Sequence, residues 1–128
     1  MSPRQRIHTE DAPAAIGPYS QAIAHGGVLY CSGAIPLDAA GELVGEGDAA
    51  EQARQCLRNL AAVAAAGGGD LSQALRTTIY TTRLNEFAAI NEAYGSFFAD
   101  PPPARAAIGV AALPKGALVE IDAIVPLS

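Results

Sequence analysis

The sequence predicts an α+β fold: one sheet in the order β-β-β-α-β-α-β-β, backed by two helices. Three observations carry this reading. Two stretches, after Asp48 and after Asn85, repeat apolar residues at helical spacing. Runs rich in Val, Ile, Thr and Tyr lie on either side of them, between Gly- and Pro-bearing turns. At 128 residues, half of them apolar, the chain is one domain's worth and closes a core without staples.

The elements follow in order. Arg6 to Thr9 reads as a short strand, and residues 11–18 as a loop punctuated by Pro and Gly. Ser20 to Ala24 and Val28 to Ile35 read as two strands around a Gly26-Gly27 turn. The second is apolar on both faces apart from Ser32, so both faces are expected to be covered. Asp38 to Gly41 is a turn. Asp48 opens the first helix with Glu51 at capping-box spacing, and Ala53, Cys56, Leu57, Leu60, Val63 and Ala64 share one face. Gly67 to Gly69 stops it. Leu75 to Thr82 is a strand. Asn85 is expected to cap a second helix striped with Phe87, Ile90, Tyr94, Phe97 and Phe98, which Pro101 to Pro103 ends. Two last strands, about 104–110 and 117–125, flank Leu113-Pro-Lys-Gly116. Two helices cover one face of such a sheet. The other face carries apolar residues with nothing to cover them, which predicts an oligomer.

Composition narrows the function. The net charge is −5 and Lys115 is the sole lysine, which argues against nucleic acid as a partner. No run of about 18 apolar residues exists, so no membrane span is expected. The first residues show no apolar core after their charges, so no signal peptide is expected and the cytoplasm is the default. Cys31 and Cys56 lack metal-type spacing and read as buried free thiols. His8 and His25 have no i,i+4 partner, so no metal site is expected.

The chemistry points to the C-terminal quarter, where Arg105 and Glu120 interrupt apolar strands. Charges inside strands are seldom left unpaired or unused. Arg105 offers a planar fork suited to a carboxylate. Glu120 is a candidate base or water-holder. The competing readings are an Arg105–Asp122 ion pair and a glutamate on a wet strand edge.

Six segments resemble the RidA family of reactive-intermediate (enamine/imine) deaminases, also called the YjgF family. They are Ile16-Gly-Pro-Tyr-Ser-Gln-Ala22, Ser32-Gly33 followed by Ile35-Pro36, Gly41-Glu-Leu-Val44, Asn91-Glu-Ala-Tyr94, Pro103-Ala-Arg105 and Leu113-Pro-Lys-Gly-Ala-Leu-Val-Glu120. They occur in the family order and cover residues from about 7 to 126. The resemblance implies a single domain over 1–128 with a chorismate-mutase-like sheet. It also implies a homotrimer whose sheets form a central barrel with active sites between subunits. The implied reaction is hydrolysis of 2-imino acids or their enamine tautomers, such as 2-aminoacrylate and 2-iminobutanoate, to 2-keto acids and ammonia, with no cofactor.

Roles carry over by position. Arg105 matches the carboxylate-binding arginine, and Glu120 the glutamate that holds the attacking water. Tyr19 matches a substrate-contacting tyrosine; packing beneath its own loop is the alternative. Asn91, Ser32 and Gly33 match substrate-binding positions; a solvent-facing helix amide and a self-satisfied strand serine are the alternatives for the first two. Two positions depart from the pattern. Ala34 stands where the family often has Gln, and Ala107 where it often has Cys or Ser, so Ala107 contributes to substrate binding only through its backbone. These losses fit a carboxylate-binding regulatory trimer without useful turnover. An endoribonuclease or translation-inhibitor role, ascribed to some members, finds no basic run with interleaved aromatics here.

Overall fold

A computed structural model describes residues 3–127 and contains one six-stranded sheet with two helices on one face. The strands are β1 (Gln5–Ile7), β2 (Ala22–His25), β3 (Val28–Ala34), β4 (Arg76–Thr81), β5 (Ala104–Gly109) and β6 (Val119–Pro126). The helices are α1 (Ala49–Ala66), between β3 and β4, and α2 (Phe87–Gly95), between β4 and β5. The order across the sheet is β1-β2-β3-β6-β4-β5. Only the β4–β5 pair is parallel, because α2 crosses over between them; all other neighbours are antiparallel.

The predicted element order holds, and the differences are local. The first strand lies at Gln5–Ile7 because Thr9 has left the ladder, its N–H donating to Gln21 Oε1 at 2.8 Å. The capping box is half made. Asp48 accepts the Glu51 N–H at 3.1 Å, but the Asp48 N–H already donates to the Gly45 carbonyl. Glu51 turns instead to Arg54 and Arg58. At the other end of α1, Gly68 takes a positive φ of 87°, which suits glycine, and Gly69 N–H reaches back to Ala64 O at 2.8 Å.

Asn85 does not cap α2. It lies inside a 3-10 turn, Leu84–Glu86, and Glu86 occupies the cap position without a side-chain bond. That turn is pinned by the Arg83 N–H on Thr81 Oγ1 at 2.9 Å and by the Arg83–Glu86 ion pair at 2.8 Å. The helix ends at Gly95, with Ser96 Oγ donating to Ala93 O at 3.0 Å, well before Pro101–Pro103.

The core lies between the sheet and the helices. Val119, Ile121, Ala123 and Val125 alternate inward along β6 and meet Leu57, Leu60 and Cys56 of α1. Leu29, Ile79 and Ile90 are fully buried beside them; each such side chain contributes about 1.5–3 kcal/mol by leaving water. The opposite sheet face has no layer over it within the chain. The expected coverage of β3 on both faces is therefore met on one only: Leu29 is buried, whereas Tyr30 is 49% exposed.

Gln52 is the main polar tie in this core. Its Oε1 accepts the Leu118 N–H at 2.7 Å, and its Nε2 donates to Gly45 O at 3.0 Å, joining α1 to the start of β6. Gln52→Met keeps the volume and orphans the Leu118 N–H, while Gly45 O keeps the Asp48 N–H. Urea unfolding should show a loss of about 1–3 kcal/mol.

Candidate active site

The first group of predicted residues gathers on the open face of the sheet. At the end of β3 the register slips: Cys31 pairs with Ala123, but the next pair is Ala34 with Ile121. Ser32 and Gly33 thus oppose Asp122 alone, a β-bulge that bends β3 beside Glu120. A Cβ on Gly33 would collide with the Glu120 carboxylate, so the bare backbone here is what lets the carboxylate lie against β3. Burial pushes the Glu120 carboxyl above the usual carboxylate range, and the neighbouring Asp122 charge adds to the rise.

Tyr19, Ser32, Gly33 and Glu120 line one cleft of about 360 Å³. Ile16, Ile35 and Pro114 complete its wall. These three were not predicted as site residues, although each lies within or beside a motif segment. Residue type gave no signal for them, because they contribute surface and no titratable group. Tyr19 is half exposed. Its hydroxyl accepts the Ile16 N–H at 3.3 Å, which holds the ring to its loop and leaves the phenolic proton free for a ligand. Ser32 is self-satisfied, its Oγ donating to Ser20 O at 2.6 Å.

The second group lies elsewhere. Arg105 is on β5, laterally paired with Thr77, and faces the helix side of the sheet. Its guanidinium stands 4.9 Å from the Tyr94 ring centroid and 5.3 Å from that of Phe87. Its Nη1 donates to Asn91 Oδ1 at 2.6 Å. Asn91 is solvent-exposed, yet it is engaged in positioning this arginine. Among the described residues no carboxylate lies within ion-pair distance of Arg105. The alternative pairing with Asp122 is not formed, because Asp122 pairs laterally with Thr78 on the opposite face and accepts the Tyr80 hydroxyl at 3.1 Å. Ala107 follows Arg105 on the same side of β5 and is exposed.

The sequence therefore brings Tyr19, Ser32, Gly33 and Glu120 together, and Arg105, Asn91 and Ala107 together, but not the two groups within one chain. Glu120 and Arg105 lie on opposite faces of the sheet, with β4 between their strands. Both cysteines are free and buried, as expected. Burial pushes the Cys31 thiol up to about 12, and that of Cys56 well above its ordinary value. Among the described residues no three His, Cys, Asp or Glu side chains gather as a metal group, and no helix is long and apolar enough to cross a membrane.

A six-stranded α+β sheet backed by two helices is a fold that known proteins share. The sequence model described as Endoribonuclease L-PSP matches residues 9–127, and the chain belongs to that family, the one that includes the RidA proteins. Among its relatives, the RutC family protein y4sK of Sinorhizobium fredii is 52% identical over 122 residues, covering 95% of this chain and 97% of the relative. The 2-iminobutanoate/2-iminopropanoate deaminase of Mus musculus is 46% identical over 122 residues, covering 94% and 90%. The crystal structure of E. coli TdcF with bound serine superposes with a TM-score of 0.90 at 39% identity, covering 97% of this chain and 99% of that one.

The raised Glu120 carboxyl has a consequence for stability. The folded chain holds the Glu120 proton at pH values where the unfolded chain has released it, so stability falls as pH rises from the ordinary carboxylate range through the folded pKa. Glu120→Gln removes that component. Thermal melts of the two proteins should diverge in favour of the variant as pH rises through this window.

Proposed function

We propose that this chain hydrolyses 2-imino acids and their enamine tautomers to 2-keto acids and ammonia, in a homotrimer that joins the Arg105 group of one copy to the Glu120 cleft of the next. The observation that carries the reading is the state of Arg105. Its charge is met by an amide oxygen and two ring faces, and by no carboxylate. Such a fork is preorganised for a ligand's carboxylate. The deaminase name of the mouse relative and the serine bound to TdcF support a small amino-acid-like ligand. The open sheet face, with Tyr30 and Ile108 exposed, supports assembly.

The chemistry asks little of the protein. An iminium carbon is already electrophilic, so water needs only to be aimed at it and relieved of a proton. Arg105 holds the substrate carboxylate. Glu120, ionised, orients the water and takes its proton as the carbon–oxygen bond forms. Glu120 passes that proton to the nitrogen, the carbon–nitrogen bond breaks to release ammonia, and Glu120 takes the remaining hydroxyl proton as the carbonyl of the keto acid forms. Tyr19 has a phenolic proton to donate to the developing oxygen. Ser32 and Gly33 supply backbone, and Ala107 has no side-chain group that this route requires. Gly33→Ala should displace the Glu120 carboxylate, keep the fold, and lower kcat/KM in the assay below.

The test is keto-acid or ammonia release from imines made in situ by an amino-acid oxidase. Arg105→Ala should lower kcat/KM by about 10- to 100-fold, the worth of a charge-assisted contact. A variant as active as wild type sinks the assignment. Tight carboxylate binding with no acceleration would instead favour a regulatory binding protein. Because Glu120 must be ionised to take a proton, wild-type kcat/KM should fall on the acid side with an apparent pKa above the ordinary carboxylate range.

A further inference from the structure

Arg105 is a long side chain on the edge strand β5, and such a side chain left to itself samples many rotamers. The groups that hold it come from one stripe of α2. Phe87, Asn91 and Tyr94 recur at i, i+4 and i+7, so they share a helix face. Asn91 is exposed and Phe87 half-buried, so water competes for both contacts. Tyr94 is only 4% exposed, and its contact is the one that solvent does not reach.

Tyr94 is itself tied down in two ways. Its ring pairs with that of Phe98, the centroids 4.5 Å apart, and its hydroxyl meets Thr77 Oγ1 at 2.6 Å. Thr77 lies on β4, is wholly buried, and is the lateral partner of Arg105 in the parallel ladder. One strand position therefore sits beside the arginine's backbone and also holds the ring beside its guanidinium. Packing on Phe98 is non-directional, whereas a hydrogen bond of this length fixes where the end of the ring lies. A guanidinium is drawn to a ring face only within about 6 Å of its centroid, so the place of the ring decides the place of the cation. Burial pushes the Tyr94 phenol above its ordinary value, so at neutral pH no phenolate neutralises the arginine.

We infer that Thr77 is a positioning residue for Arg105: through its bond to the Tyr94 hydroxyl it holds the aromatic face that aims the guanidinium at a ligand's carboxylate. The inference rests on the deaminase reading for the identity of that ligand. Thr77 touches neither substrate nor water and acts only through Tyr94. The same bond also steadies the fold, and the two roles separate when both hydroxyls are removed. Removing one leaves the other buried without a partner, whereas removing both leaves apolar groups of similar shape.

The experiment compares Thr77→Val, Tyr94→Phe and the double variant in thermal melts and in the imine assay. Each single variant should melt below wild type, and the double variant should recover most of that loss. KM should rise about three- to tenfold in all three, with kcat within about twofold of wild type, because the clamp holds the carboxylate in ground and transition states alike. Thr77→Ser keeps the hydroxyl and should bring KM back to within about twofold of wild type. A second readout needs no substrate: the NMR order parameter of the Arg105 Nε–H should fall in the double variant. KM that returns to wild type in the double variant along with the melts overturns the positioning role, as does an unchanged Arg105 order parameter. Wild type that hydrolyses no imine overturns the deaminase reading alone, since the order parameter still reports whether Thr77 holds the arginine.

Discussion

Strand β6 runs through the middle of the sheet, and its alternation constrains everything around it. Val119, Ile121, Ala123 and Val125 must meet α1, which sends Glu120 and Asp122 to the other face. A one-residue slip would bury both carboxylates under the helices and expose the core valines. The bulge in β3 answers the same constraint from next door. By giving two residues to one partner position it brings the bare Gly33 backbone against Glu120 and restores the inward phase at Ala34. Acidic cleft and apolar core are thus two sides of one strand.

The arginine obeys a different logic. On edge strand β5 it faces the helices, where α2 supplies Asn91, Phe87 and Tyr94 to hold it without neutralising it. The amide oxygen and the ring faces are attractive to a cation, but neither carries a full negative charge. The Tyr94 hydroxyl bonds Thr77 Oγ1 at 2.6 Å, so the ring beneath the guanidinium is itself fixed. The result is a positioned cation whose charge remains available, set apart from the carboxylate cleft by the thickness of the sheet.

Much of this was legible in the sequence, and the reasons are particular. The helices announced themselves because Leu57, Leu60 and Val63, and then Ile90 and Tyr94, recur at helical spacing. Arg105 and Glu120 stood out because charge is rare in such strands. The faces were harder. Which side Arg105 takes depends on its parallel register with Thr77, and a crossover register leaves no mark in a short strand. The bulge was hidden because Ser-Gly inside a strand reads as an ordinary small pair. Asn85 and Glu51 had the right residue type for caps, but each lost to a local competitor: the Arg83-pinned turn for one, the Gly45 carbonyl and two arginines for the other. Cap chemistry written in residue types is overridden when a neighbouring loop already fills the backbone partner.

The two buried cysteines have one further meaning. With Cys31 raised to about 12 and Cys56 well above its ordinary value, neither thiol presents a thiolate near neutral pH, and both are screened by helix and sheet. An alkylating reagent in solution meets an unreactive protein as long as it stays closed. Each covalent label that does appear marks a molecule whose helices have parted from the sheet. The native chain therefore carries its own clock for opening, read by the rate at which its sulfur is modified.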